Sequence, residues 1–119
     1  MYVRYQGTKN SRKTGKPSGI FAVAWHMKQN RLLSPREIDE IQQIENWFED
    51  NLPNPPFYSE SDPPKAITSF KRETTVEMLE KIERIKTIIE KNGWTIDVEY
   101  RENPPGKVIY EDEYQIAII

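Results

Sequence analysis

The segment best suited to chemistry is a basic loop, residues 7–19, with the sequence Gly-Thr-Lys-Asn-Ser-Arg-Lys-Thr-Gly-Lys-Pro-Ser-Gly. Four cations lie within it: Lys9, Arg12, Lys13 and Lys16. Glycines permit close backbone approach, and the N–H groups that start a helix attract phosphate. The loop is therefore a candidate contact for phosphate or nucleic acid, supported by Arg4 in the preceding segment. The competing interpretation is a solvated loop without a ligand.

The loop does not fit the common nucleotide-binding motifs. More residues separate Gly7 from Gly15 than the pattern G-x-x-x-x-G-K-[ST] allows, and Pro17 stands where a hydroxyl would hold magnesium. The dinucleotide fingerprint is absent as well. The sequence predicts binding without NTP hydrolysis.

Charge is distributed unevenly along the chain. The first 33 residues contain seven Lys and Arg and no Asp or Glu, whereas the remainder contains ten cations and nineteen acids. Such asymmetry indicates an anionic partner for the basic third. It also fits a basic segment that simply folds against the acidic one, and both interpretations stay open.

Little in the chain favours an enzyme. There is no Cys and one His, which excludes thiolate chemistry and multi-histidine metal sites. We interpret His26 as a surface or hydrogen-bonded histidine of the first helix in preference to a general acid or base. Within Glu111-Asp112-Glu113, alternation places Asp112 among apolar neighbours, and we favour a salt bridge to the basic segment over a Mg²⁺ site. We assign no catalytic residue, metal site or cofactor.

The elements that would position these residues follow the order β-α-α-α-β-β. Alternation predicts strands over residues 1–6, 94–101 and 107–119, and helical periodicity predicts a first helix over 20–30. Ser34 with Glu37, and Thr74 with Glu77, form the capping boxes of the second and third helices. A short helical turn is expected over 66–71. The fold class is α+β, with three helices on a small three-stranded sheet in a single domain over residues 1–119.

A proline-rich connector, residues 53–64, separates the second and third helices. We expect Phe57 and Tyr58 to pin it onto the core. No apolar run approaches the roughly 20 residues that span a bilayer, and the first residues lack a signal-peptide pattern. We therefore expect a cytoplasmic protein.

Two segments together resemble a known group of sequences. Thr-Gly-Lys-Pro-Ser-Gly-Ile-Phe precedes the first helix, and Pro-Gly-Lys-Val-Ile-Tyr-Glu-Asp-Glu-Tyr-Gln lies near the end. This combination resembles an uncharacterised family of small bacterial proteins, and the resemblance extends over nearly the whole chain. It implies no activity and no site residues.

Two functional hypotheses follow. The first is a non-enzymatic binding or regulatory module that holds a nucleotide or nucleic acid through its basic N-terminal third, one form being a counter-defence protein that sequesters a nucleotide signal. The alternative is a protein-interaction module, an inhibitor or immunity-type protein, acting through an acidic helical face. Residues 116–119 fit either a central strand or an edge that pairs with a second copy. The acids of that helical face are Glu37, Asp39, Glu40, Glu45, Glu49 and Asp50.

Overall fold

A computed structural model describes residues 1–12, 14–62 and 64–119, and within them three helices accompany a six-stranded antiparallel sheet. The strands are β1 (Tyr2–Asn10), β2 (Pro17–Gly19), β3 (Ile67–Lys71), β4 (Asp97–Arg101), β5 (Val108–Glu111) and β6 (Gln115–Ile118). The helices are α1 (Ile20–Gln29), α2 (Pro35–Asn51) and α3 (Val76–Lys91). The α+β class and the three helices are confirmed, whereas the predicted three-stranded sheet is too small.

The first strand has three neighbours because different stretches of it are paired. On one side β4 runs along its first half. On the other side β3 pairs with Tyr2 and Val3, and β2 joins from Gln6 onward. Within the described residues, Arg4 and Tyr5 thus have no strand partner on that second side. This leaves a gap in the sheet between β2 and β3.

The helices cover the face of β1 that carries Val3 and Tyr5, both buried. At Gly7 a Cβ atom would lie 2.8 Å from Cγ2 of Val23, so α1 packs almost directly on the strand backbone. Apolar side chains spaced at helical intervals fill the space between these layers. The buried helical residues are Ile20, Val23, Ala24, Met27, Ile41, Phe48, Met78, Ile82, Ile85, Ile88 and Ile89.

Local signals set the start of α2 but not that of α3. Ser34 accepts from the Glu37 backbone N–H, and the Glu37 carboxylate accepts from the Ser34 N–H, as the predicted capping box requires. The capping box predicted for α3 is wrong, because Thr75 occupies its N-cap position without a side-chain capping hydrogen bond. The Thr74 hydroxyl donates instead to the Glu113 carbonyl, at 2.6 Å.

The strands beyond the predicted three come from three segments for which the sequence predicts a different structure. Residues 67–71 form β3 and not a helical turn, since they pair with both β1 and β6. The basic loop folds as a hairpin, in which β1 extends to Asn10 and pairs with β2, with Gly15 in the turn at a φ of 70°. The last strand breaks into β5 and β6 around Asp112. All four residues of β6 are buried between β3 and β5, so the apolar C-terminal segment is a central strand.

The connector between α2 and β3 crosses to the sheet. Phe57 is buried, as predicted, and its ring meets that of Tyr110 edge-on at 6.2 Å. Gln115 Nε2 donates to the Pro53 carbonyl at 2.8 Å. Tyr58, which was also expected on the core, is 45% exposed. None of the helices in the described ranges is both long and apolar enough to cross a membrane.

Candidate functional site

A cleft of about 670 Å³ opens at the gap between β2 and β3. Its walls come from the start of α1, the second half of α2, the connector and the sheet. This volume lies within the range of small-molecule sites, roughly 300–1,000 Å³. The lining residues include Arg4, Phe21, Trp25, Glu45, Phe48 and Tyr58.

Arg4 lies where the sheet is interrupted. Its guanidinium donates to the carbonyls of Thr68 on β3, at 2.7 Å, and Pro17 on β2, at 2.9 Å, and to Gln6 Oε1 at 3.1 Å. A guanidinium has five N–H groups, so these bonds leave two for another acceptor. Burial lowers the pKa of Arg4 from its ordinary value, opposed by the charges of Glu99 and Tyr58. No carboxylate lies within salt-bridge distance of Arg4 in the described part of the chain.

The N-terminus of α1 opens onto the same cleft, through Gly19, Ile20 and Phe21. Gly19 is the N-cap, so no side chain caps the first turn, and the turn contains no acidic residue. A Cβ atom on Gly19 would lie 3.6 Å from Arg4 Nη2, which brings the guanidinium and the helix start together. Both carry positive charge, formal in the first case and partial in the second. An anion at this end of the cleft would meet two favourable partners.

Aromatic rings surround the rest of the cleft. Phe21 and Phe48 meet edge-on at 5.2 Å, and the Phe70 ring lies 6.3 Å from that of Phe48. At the mouth, Trp25 is 56% exposed and Tyr58 45% exposed. Large aromatic side chains are costly to expose, and a flat ligand packed on either ring would remove that surface from water.

Two carboxylates of α2, those of Glu45 and Glu49, also line the cleft. Glu45 is half-buried and Glu49 is exposed. Burial raises the pKa of Glu45, Lys28 opposes the rise, and Glu49 adds to it. Within the described residues, Glu45 has neither a hydrogen-bond partner nor an ion pair, so both of its oxygens are available.

Of the four predicted ligand-binding residues that the structure describes, only Arg4 lines the cleft. Lys9, Arg12 and Lys16 belong to the β1–β2 hairpin and are not among the lining residues, whereas Lys13 falls outside the described ranges. Lys9 and Arg12 are exposed and Lys16 is half-buried. The sequence assigned Arg4 a supporting role and missed the aromatic and acidic lining. The exposed Trp25, beside apolar helix positions, was the available signal.

Ion pairs in the described residues do not explain the charge asymmetry, since none joins a Lys or Arg side chain of the first 33 residues to an acid. Asp112, expected to pair with that segment, instead organises the β5–β6 turn. Its Oδ1 accepts from the backbone N–H groups of Tyr114, at 2.8 Å, and Gln115, at 3.0 Å, and its Oδ2 accepts from the Tyr110 hydroxyl at 2.7 Å. The ion pair in this region joins Lys71 of β3 to Glu111, at 2.5 Å.

The acidic residues of α2 differ in whether their carboxylates already have hydrogen-bond or ion-pair partners. Glu37 is occupied by its capping box and by Asn92, Glu40 pairs with Arg84, and Asp39 accepts from Gln43. A second groove of about 410 Å³ lies between α2 and α3 at these pairs. Its charged groups largely satisfy one another, so we place the candidate site in the first cleft. Action through the acidic face stays a prediction.

His26 is exposed on α1, as expected, with its ring edge-on to Trp25 at 5.1 Å. Within the described ranges, no group of three or more His, Asp or Glu side chains is placed to hold a metal ion. The cleft can therefore be described by its own groups: a guanidinium beside a helix start, several aromatic rings and two carboxylates. Comparison with known proteins adds nothing to this geometry, because no family model, curated protein or solved structure matches the chain.

Proposed function

We propose that this protein is a binding module for a small anionic ligand with an aromatic ring, such as a nucleotide, and that the ligand occupies the cleft between β2, β3, α1 and α2. The observation that carries the proposal is the meeting of Arg4 with the uncapped start of α1 inside an aromatic-lined cleft. A phosphate is the common ligand for such a pair, because a guanidinium and backbone N–H groups both donate to its oxygens. The rings of Trp25 and Tyr58 are suited to cover a base.

A single small ligand fits better than a nucleic-acid polymer. Arg4 lines the cleft and is already bonded to two strands, whereas the exposed hairpin cations Lys9 and Arg12 do not line the cleft. Polymer binding depends mainly on exposed cations that displace counterions. The two modes therefore depend on different residues, which makes them separable. A regulatory role, in which the module removes a nucleotide signal by binding it, is the biological form that we propose.

The experiment has two arms. Protein purified natively in low salt is denatured, and the released small molecules are identified by mass spectrometry. Purified nucleoside monophosphates are then titrated by calorimetry into the wild type, Arg4→Lys and the matched control Arg31→Lys. Arg4→Lys retains the positive charge but loses the planar guanidinium with its several N–H donors. Arg31 is an exposed residue of the same basic third and does not line the cleft.

We expect binding to weaken at least tenfold in Arg4→Lys and to be unchanged in Arg31→Lys. Replacing Arg12, Lys13 and Lys16 together with Ala should leave nucleotide affinity unchanged. Equal affinity of the wild type and Arg4→Lys would refute the cleft as the site. Loss of binding in the triple variant, with a flattened salt dependence, would move the site to the hairpin.

A further inference from the structure

The acidic wall of the cleft has no function in holding an anion, and it opposes one. Glu45 lies on α2, whereas Arg4 lies on β1, and both line the cleft. No hydrogen bond or ion pair joins the two side chains within the described residues, so the cleft presents a basic and an acidic group that do not neutralise each other by direct contact. A ligand that contacts both must offer an anionic group to Arg4 and hydrogen-bond donors to Glu45.

Glu45 has the features of a recognition group. It is half-buried beside aromatic lining, and within the described residues it forms no hydrogen bond or ion pair. A partly buried carboxylate without a hydrogen-bond partner costs free energy in the empty protein, which a donor ligand would recover. An ionised carboxylate only accepts hydrogen bonds, and its two oxygens accept side by side.

Base edges differ in how well they match two adjacent acceptors. Guanine presents a ring N–H next to an amino group, so two parallel hydrogen bonds reach one carboxylate. Adenine and cytosine present an amino group beside a ring nitrogen that is itself an acceptor, and this nitrogen would repel the second oxygen. Hypoxanthine retains the ring N–H of guanine but lacks the amino group.

Building on the proposed function, we infer that the ligand is a guanine nucleotide, with its phosphate at Arg4 and the start of α1 and its base edge at the Glu45 carboxylate. The aromatic rings of the cleft cover the base. A guanine nucleotide supplies both the anion for Arg4 and the donors for Glu45, whereas a purely anionic ligand has no donors for Glu45. Glu45 is then the residue that sets base specificity, and Arg4 the residue that anchors any nucleotide.

The test compares ligands that differ in one group. GMP, IMP and AMP are titrated by calorimetry into the wild type, Glu45→Gln and Asp50→Asn. IMP lacks only the 2-amino group of GMP. Asp50 is an exposed acid of the same helix outside the lining, so Asp50→Asn controls for the change in net charge.

We expect the wild type and Asp50→Asn to bind GMP about tenfold more tightly than IMP, which loses one donor, and to bind AMP more weakly still. In Glu45→Gln this preference should shrink to about twofold, with AMP affinity little changed. If all three nucleotides bind equally and Arg4→Lys weakens all of them, the guanine inference is overturned and the proposed function stands. A preference for GMP that persists in Glu45→Gln overturns the role of Glu45. If no nucleotide binds to the wild type, both proposals fall.

Discussion

Replacing Arg4 tests whether one side chain holds the sheet together at its interruption. Arg4→Met keeps most of the aliphatic stem and removes three hydrogen bonds, two of them to the carbonyls of Pro17 and Thr68. At about 1 kcal/mol for each bond, the loss is about 3 kcal/mol. Burial lowers the pKa of Arg4, which means that the charged form has a desolvation cost, and removing the charge recovers part of it. We expect a net loss of about 2 to 3 kcal/mol.

Urea unfolding followed by circular dichroism measures this loss. With a slope of about 1–3 kcal/mol per molar urea, the midpoint should move down by about 0.7–3 M. Arg31→Met is the matched control, since an exposed side chain outside such contacts shifts stability by less than about 0.5 kcal/mol. Arg4→Lys should fall between the two, because an ammonium cannot reach both carbonyls in the fork geometry.

Hydrogen exchange locates the effect. In Arg4→Met, amides of β2 and β3 should exchange faster, whereas those in the middle of α3 should follow only the global loss of stability. A midpoint within 0.3 M (about 0.5 kcal/mol) of the wild type would refute the argument. So would a large loss with uniform exchange, because Arg4 would then act through the core and not at the gap.

Three further substitutions test the β5–β6 turn, the acidic side of the cleft, and the close approach of Gly106 to Ile119. In Asp112→Asn an amide replaces the Oδ2 acceptor of Tyr110 and Gln115, so stability at pH 7 should fall by about 1 kcal/mol. Burial raises the pKa of Asp112, but hydrogen bonds outweigh it and the net direction is down, so this contribution is present above about pH 4 and is lost on acidification. Urea midpoints from pH 7 to pH 2 should therefore converge for the two proteins. Glu45→Gln should be slightly more stable than the wild type at pH 7, by less than about 1 kcal/mol, because burial raises the pKa of Glu45 and its ionised form disfavours folding. That gain should vanish below about pH 4, where both folded and unfolded carboxyls are protonated, and a destabilised Glu45→Gln would contradict it. Gly106→Ala would place Cβ 2.5 Å from the Ile119 carbonyl oxygen and should lower the free energy of unfolding, measured by thermal unfolding, by about 1–3 kcal/mol. An unchanged melting temperature would show that the backbone at Ile119 shifts away without cost.

The fold was predictable where the determining contacts are local. The α2 capping box depends on Ser34 and Glu37 alone, and it forms as expected. β3 could not be recognised, because its five residues are all half-buried and show no alternation. Its identity depends on pairing with β1 and β6, which are distant in sequence. Similarly, Thr74 lost its expected capping role to the Glu113 carbonyl, a partner that no local pattern indicates.

The candidate site was predictable only in its chemistry. Positive charge and a helix start in the N-terminal third are features that the sequence indicates, and both are present in the cleft. Which of the N-terminal cations lines the cleft was not predictable from the sequence. The gap at Arg4 depends on the register in which the neighbouring strands pair with β1. Glu45 and Tyr58 reach the same cleft from α2 and the connector, through tertiary packing.

The pairing of β1 with β4 has a consequence for biosynthesis. Tyr2 pairs with Arg101 and Gln6 with Asp97, so most of the chain must be made before this ladder closes. At a synthesis rate of about 5–20 residues per second, β1 remains unpaired with β4 for roughly 5–20 s. During that interval its unpaired edge is a template for strands of other nascent chains. The β1–β2 hairpin closes early and covers only the second half of β1. We therefore expect the yield of folded protein to fall when nascent chains are crowded during rapid synthesis.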